Sequence, residues 1–352
     1  HQKRVETIRD LSHHTARDNV SCVDCHRPKT AQARRPGSAH TFRPPSPAAA
    51  EEVGGPMACN LCHHDREAIT GDFLGHDPEN VAWAKQHVEA WHGKDAGKEI
   101  LEMGRIIQAC RENEWSKLPE ILAYLDSPKA DQPTKVGILR LLAFYPYPYA
   151  DKWPVVRRQL DSEHPWVRAA AADALRYDDS TDTTVALLNA AKDELRTVRI
   201  RAASSLVGRD LSSYSKTGQA AFAAARDEYW NSLTVWPDRW STYYNQGIYF
   251  DRLGEPEKAL EAYAKSRELR DDLIQPVINA SMVYARAGDT AQAKAQLEEA
   301  LRIEPDNPMA NFNMALLQAE QGDLESTEKM LRTALKSDPS MAQAQYNLGV
   351  LL

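Results

Sequence analysis

Apolar and polar positions are spaced differently in successive stretches of this chain. Residues 1–77 carry few periodic apolar positions and many turn formers: Pro28, Pro36, Pro44, Pro45, Pro47, Pro56 and Gly54-Gly55. Such a stretch cannot offset its own ordering entropy unless apolar mass is added from elsewhere. At Pro78 a helical period begins. Asp77-Pro78-Glu79 reads as N-cap, first-turn proline and early acid. Trp83, His87 or Val88, and Trp91 follow on one face, and Gly93 predicts the end of the helix.

Residues 98–226 read as paired amphipathic helices joined by short turns containing Pro or Asp. Pro165–Leu175 and Thr197–Leu206 superpose at a 31-residue offset, placing Arg168 on Arg199 and Leu175 on Leu206. A weaker third copy runs from Pro133 to Leu142. Their alanines permit close helix approach, so these segments resemble the second helices of stacked HEAT-type repeats.

From residue 227 the period is sharper. Asn245, Asn279, Asn313 and Asn347 recur every 34 residues, as do Gly254, Gly288 and Gly322. A helix–turn–helix unit of this length is the tetratricopeptide (TPR) repeat. Small residues (Gly247, Ser281, Ala315; Ala259, Ala293) fall where the two helices of a repeat must touch, and Tyr263, Leu297 and Leu331 fill the intervening holes. The turn glycines predict left-handed C-caps, and Pro305 and Pro339 separate repeats. The pattern holds three full repeats and the first helix of a fourth, Met341–Leu352, which presents Val350-Leu351-Leu352. Trp240, Tyr243, Tyr244 and Phe250 are candidates to line a groove, although Phe250 and Tyr263 also suit the repeat core.

Composition adds bounds. The 352 residues are 42% hydrophobic and 26% charged, which suits two or three globular domains, and no apolar run approaches a membrane span. Residues 1–94 balance 12 basic against 12 acidic side chains, so the net charge of −7 lies in the remainder. No basic face for a nucleic-acid partner is expected.

The chemistry lies in two runs, Cys22-Val-Asp-Cys25-His26 and Cys59-Asn-Leu-Cys62-His63, which use four of the five cysteines. Cys-x-x-Cys-His is the attachment signature of c-type haem: two thiols bond the vinyl groups and the adjacent histidine ligates iron. A Cys₄ zinc site, disulfides and a thioredoxin-like pair are the alternatives. Zinc gives no reason for histidine after both second cysteines, and no βαβ context surrounds either pair. The remaining Cys110 sits on an apolar helical stretch with Ile106 and Ile107 and reads as a buried structural thiol.

The expected fold is therefore all-α: a dihaem module over 1–94, HEAT-like repeats over 95–226 and TPR repeats over 227–352, the last two forming a right-handed solenoid. Covalent haem implies an exported protein, periplasmic or at the cell surface, with a leader removed before His1.

The chain resembles multihaem c-type cytochromes that carry a doubled Cys-x-x-Cys-His module followed by HEAT and TPR repeats. The residues that carry the likeness are Cys22–Lys29, Ala39-His40-Thr-Phe-Arg43, Pro56–His63 and the helix with Trp83-Ala84 and Trp91-His92-Gly93. Arg27 departs from the methionine usual in that family, and the upstream motifs common there do not precede these two. For the sixth iron ligands the candidates are His1, His13, His14, His40, His64, His76, His87 and His92, with Met57 the nearby thioether. Histidine is abundant and methionine scarce, which favours bis-His coordination. The module is also similar to the last two haem sites of pentahaem nitrite reductases. That likeness implies His14 (or His13) as distal ligand to the haem of Cys59, Cys62 and His63. It assigns His40 to an upstream haem or, failing one, to the Cys22–Cys25–His26 site; His1 is a further alternative.

Two hexacoordinate haem c groups leave no open iron position, so the leading expectation is an electron carrier and not an enzyme. The helical repeats would dock redox partners or further copies of the chain, in a homo-oligomer or filament. A multihaem nitrite or hydroxylamine oxidoreductase subunit is one alternative, and a TPR assembly scaffold with structural haems another.

Overall fold

The computed structural model describes residues 29–32, 35–38, 46–53, 78–95, 97–112, 114–143 and 151–352. The chain divides into two compact units, 1–134 and 135–352.

In the first unit a hairpin pairs β1 (Lys29–Gln32) with β2 (Arg35–Ser38), with Lys29 opposite Ser38 and Gln32 opposite Arg35. This small sheet is an addition to the expected all-α class. The rest is helical: α1 (Pro47–Val53), α2 (Pro78–His92), α3 (Lys98–Arg111) and α4 (Leu118–Asp126). Pro78 opens α2, and Gly93 ends it with φ of 87°, its N–H donating to Glu89 O at 2.9 Å. Ser46 Oγ caps α1 by accepting from Ala49 N at 3.3 Å. α1 packs against both α2 and α3, burying Ala49 and Ala84. Across these contacts Glu51 pairs with Lys85, and Glu52 takes Arg105 in a fork with bonds of 2.5 and 2.7 Å. Both pairs are exposed and orient the helices more than they stabilise them. α3 and α4 bury Ile106, Cys110, Leu118, Ile121 and Leu125. Burial pushes the Cys110 thiol up to about 12, so it is an inert core residue.

α5 (Gln132–Ala143) spans the division, and the second unit continues with α6 (Lys152–Arg158), α7 (Pro165–Ala174), α8 (Thr181–Ala190), α9 (Arg196–Leu206) and α10 (Lys216–Leu233). α7 and α9 approach closely because the facing residues are small. Ala169, Ala171, Ala172, Ala202 and Ala203 are buried, and Ser205 Oγ donates to Ala172 O at 2.7 Å. The sequence offset of Arg168 and Arg199 reappears as one repeated contact. Arg168 grips Asp193 with bonds of 2.7 and 3.0 Å and donates to the carbonyl of Ser162. Arg199 grips Glu228 at 3.0 and 2.8 Å and donates to the carbonyl of Asp193. Each guanidinium thus ties a helix to the turn before it and to the next repeat.

Beyond α10 come α11 (Trp240–Arg252) with α12 (Pro256–Leu269), α13 (Gln275–Arg286) with α14 (Thr290–Ile303), α15 (Pro308–Glu320) with α16 (Leu324–Ser337), and α17 (Ala342–Leu351). Each helix packs on its sequence neighbours, and α13 also touches α11 and α15, so the first helices of successive repeats stack. The three turn glycines have φ of 72°, 79° and 79°. Around them the same paired bonds close the helix: Gly254 N to Asp251 O with Glu255 N to Phe250 O, then Gly288 N to Ala285 O with Asp289 N to Tyr284 O, then Gly322 N to Ala319 O with Asp323 N to Gln318 O. These are Schellman caps. Asp289 and Asp323 then cap the following helix through Gln292 N and Ser326 N. The holes and fillers fall as the period requires. Gly247 faces Tyr263 so closely that a methyl group would overlap the ring. Leu297 packs with Ala293, Met314 and Leu317, and Leu331 with Phe312 and Ala315.

No break separates the TPR repeats from the helix pairs before them. α10 runs continuously through residue 226, and the turn after α9 is locked to the end of α11. Arg252 donates to the carbonyls of Ser204 (2.6 Å) and Ser205 (3.3 Å), while Arg209 donates to those of Leu175 and Asp178. Gly208, at φ 86°, lies against the Arg252 carbonyl, where a Cβ would overlap it.

Two outcomes test this packing. Gly254→Ala places a methyl group in open space and should cost about 1 kcal/mol, the left-handed penalty alone. Gly208→Ala adds an overlap and should cost roughly 1–3 kcal/mol more in urea unfolding of the full chain; equal losses would contradict the locked junction. Lys152 gives a pH signature. It is buried, donates to Leu142 O at 3.1 Å, and burial pulls its amine from 10.5 down to about 8, with Asp178 partly opposing. Its charged form is therefore disfavoured in the folded state. Relative to Lys152→Met, wild-type stability should rise between about pH 8 and 10.5, by up to roughly 3 kcal/mol.

Candidate functional site

The residues expected to hold haem and iron (Cys22, Cys25, His26, Cys59, Cys62, His63, and the distal candidates His1, His13, His14 and His40) lie outside the described residues. The described elements are their neighbours in sequence. The hairpin begins just after His26 in sequence and ends just before His40, and because Lys29 pairs with Ser38 the chain enters and leaves it at one end. α1 lies in sequence between the two motifs and is held to α2 and α3 by the contacts above. His87 sits partly buried on α2. Among the described residues no group of three or more His, Cys, Asp or Glu is placed to hold a metal ion. Nor is any helix among them long and apolar enough to cross a membrane.

The second candidate is the surface along the first helices of the C-terminal repeats. Met282, Leu316 and Val350 keep the 34-residue step, each three residues after a ladder asparagine, and are 42%, 40% and 69% exposed. Between α13, α14 and α15 the surface deepens into an open cavity of about 190 Å³, lined by Met282, Arg286, Leu297, Asn313, Leu316 and Leu317 among others. Of the charged residues on its lining, Arg286 is paired with Asp251 of the preceding repeat, and Glu320 leaves an acidic group on the wall.

The asparagine ladder is not uniform. Asn279 Nδ2 lies 3.4 Å from Tyr244 Oη and 3.5 Å from Tyr263 Oη. Burial raises both phenols above their ordinary range, so they stay protonated as hydrogen-bonding hydroxyls. One repeat later the corresponding positions are Ile278 and Leu297, and Asn313 Nδ2 is buried with no hydrogen-bond partner among the described residues. The period alone makes the two asparagines look equivalent. Comparing their partners at the same 34-residue offset would have exposed the difference. Of the aromatic residues considered for a groove, Tyr244 lies between Trp240 and Tyr263, tilted to both, with centroids 6.3 and 6.2 Å away. Phe250 joins Trp230 and Tyr249 at 5.3 and 5.6 Å and belongs to the core side.

Residues 284–350 match the family model for the tetratricopeptide repeat. The helix pairs at the C-terminal end of this chain are TPR repeats, with the turn chemistry and period described above. No curated protein sequence matches the chain. Solved structures similar to it include the first TPR domain of the human RPAP3 protein, 17% identical, covering 33% of this chain and 91% of that one with a TM-score of 0.31. TTC0263, a thermophilic TPR protein of Thermus thermophilus, is 18% identical over 58% of this chain and 90% of that one, with a TM-score of 0.30. YrrB, described as a TPR protein with an unusual peptide-binding site, is 18% identical over 64% and 95%, with a TM-score of 0.30.

Proposed function

We propose that this protein is an exported electron-transfer cytochrome, with two haem c groups in residues 1–94 and the helical repeats as the surface that docks its redox partner or further copies of itself. The observation that carries this is the Cys-x-x-Cys-His run occurring twice. The donor set suits haem: in each run two thiols are spaced for two vinyl groups, with an imidazole directly after them. Bound there, haem would supply one-electron chemistry at potentials set by axial ligation, burial and hydrogen bonding.

The chain's own part is to hold and orient. His26 and His63 act as proximal ligands. His14, or His13, serves the site of Cys59, Cys62 and His63, and His1 is an alternative distal ligand. For His40 the hairpin register supports a local role, because both ends of the hairpin open on one side and its flanks lead to His26 and His40. α1, which lies in sequence between the motifs, is held against α2 and α3. The balanced charge of this segment, against the acidic excess of the repeats, gives the two parts different surfaces to offer a partner.

The TPR repeats favour a second reading, an assembly scaffold in which haems act as structural staples. Reversible reduction separates the two: an electron carrier cycles with a donor, a staple does not. An oxidoreductase would need an open iron position, which cyanide or CO added to reduced protein would reveal as a spectral shift.

Purified protein should contain two haems per chain by pyridine haemochrome, and one after Cys59→Ser with Cys62→Ser. Colourless or zinc-loaded protein would remove the proposal. His14→Met and His40→Met should each change the low-spin spectrum of one haem; unchanged spectra in both variants would remove those ligand assignments.

A further inference from the structure

Taking the repeats as a docking surface for further copies of the chain, as proposed above, we infer that two copies associate head to tail. The arginine and aromatic face carried by α7, α9 and the end of α11 on one copy receives the acidic edge formed by the turns between TPR repeats on the next.

The receiving face is built from a few linked residues. Trp166 and Asp173 lie two turns apart on one face of α7, and Tyr177 follows in the 3₁₀ turn at its end. The two rings are 66% and 53% exposed. Asp173 Oδ1 accepts from Arg176 Nη2 at 2.6 Å and lies 3.8 Å from Arg201 Nη1 on α9. Ser204 then joins Arg176 to Arg252, its hydroxyl accepting from the first at 2.9 Å and its carbonyl from the second at 2.6 Å. Three guanidiniums thus gather about one carboxylate, while Arg209 behind them is matched by Asp179 at 3.7 Å. Arg168 and Arg199 show the contrast, since each closes on a carboxylate with two bonds. Among the described residues Arg252 has no ion pair, and Arg201, half exposed, has no hydrogen bond. Burial, and then the nearby Arg176, work against the charge on Arg252. An anion brought to this face would relieve that. Guanidinium forks match carboxylates, and Trp, Tyr and Arg are the residues that dominate contacts between proteins. The face therefore suits a protein surface that is acidic and partly apolar.

The chain itself carries such a surface. Residues 227–352 hold 20 acidic side chains against 12 basic. In the turns between repeats, Asp271, Glu304 and Asp306 are exposed and form no ion pair with a described residue. The neighbouring cations Arg270 and Arg302 are already taken by Asp272 and Glu299. Leu269 and Met309, each 44% exposed, lie on the helices that border these turns. Because the turns recur at the repeat step, they fall along one edge. Face and edge are different surfaces, so the contact is heterologous and each added copy leaves one of each free.

The test is sedimentation velocity on the full haem-loaded chain across a wide range of concentration, in low salt and in about 0.5 M salt, where exposed charges are screened. The wild type should grow beyond a dimer as concentration rises, and salt should reverse this. Arg201→Glu, at a side chain without hydrogen bonds, should weaken association roughly tenfold or more. Trp166→Ser, at an exposed ring, should weaken it as well. Asp271→Asn with Asp306→Asn should weaken it from the other side. Mixing that double variant with Arg201→Glu leaves one intact face and one intact edge, so the mixture should form a one-to-one dimer and nothing larger. A wild type that stays monomeric throughout would overturn the inference, and the haem count and reversible reduction would still judge the electron-transfer reading separately. A monomeric wild type that binds polyglutamate through Arg201 would also overturn it, giving the face to an acidic protein of another kind. Association that survives in both variants, or a mixture that does not dimerise, would place the contact between copies elsewhere and overturn it too.

Discussion

The C-terminal half of this protein is organised by how closely two helices can approach. In the first TPR repeat the Tyr263 ring occupies space that any side chain on residue 247 would need, so that position is glycine. In the next two repeats the partner residue is leucine and the facing residue grows to Ser281 and Ala315, both buried. The volume lost from one helix is regained on the other, as dense packing requires. The contact pair thus changes from Gly247–Tyr263 to Ser281–Leu297 and Ala315–Leu331, and the chemistry at the surface changes with it. The exchange of Tyr263 for Leu297 is a packing adjustment on the inner side and, on the outer side, the removal of a hydroxyl from Asn313.

Polar contacts set how the helix pairs stack. Arg168 and Arg199 repeat the same contact, each joining a turn carbonyl to a carboxylate of the following repeat. Where the TPR repeats begin, Arg209 and Arg252 take over and satisfy carbonyls at the ends of neighbouring helices. Helix C-termini leave carbonyls without intrahelical partners, and a buried guanidinium can serve several at once. Gly208 lets the chain turn against the last of them. Residues 135–352 are in consequence one continuous stack, and a partner bound along the first helices of the TPR repeats would rest on a surface braced from behind.

The N-terminal unit follows different physics. Its described helices bury a modest set of residues, and its ion pairs Glu51–Lys85 and Glu52–Arg105 are exposed. On the proposed reading, the bulk that would fill the turn-rich segment is not amino acid, and so no apolar period marks where it goes. On that reading a redox segment, whose order would come from covalent cofactors, is joined to helical repeats whose order comes from repetition.

Much of this could be read from residue order. The 34-residue step located the turn glycines, the small contact positions and their fillers, because each is a local requirement restated in every repeat. The offset between Arg168 and Arg199 likewise marked two equivalent helices. The Cys-x-x-Cys-His runs stand out in the sequence because the haem attachment proposed for them would need contiguous residues. Contacts between segments far apart in sequence were not legible. The β1–β2 hairpin, the seating of α1 on α2 and α3, and the grip of Arg252 on Ser204 and Ser205 each depend on partners that no short pattern names. The standing of Asn313 belongs with these. Periodicity shows that an asparagine recurs, but whether its amide is engaged depends on Ile278 and Leu297, which only packing brings beside it.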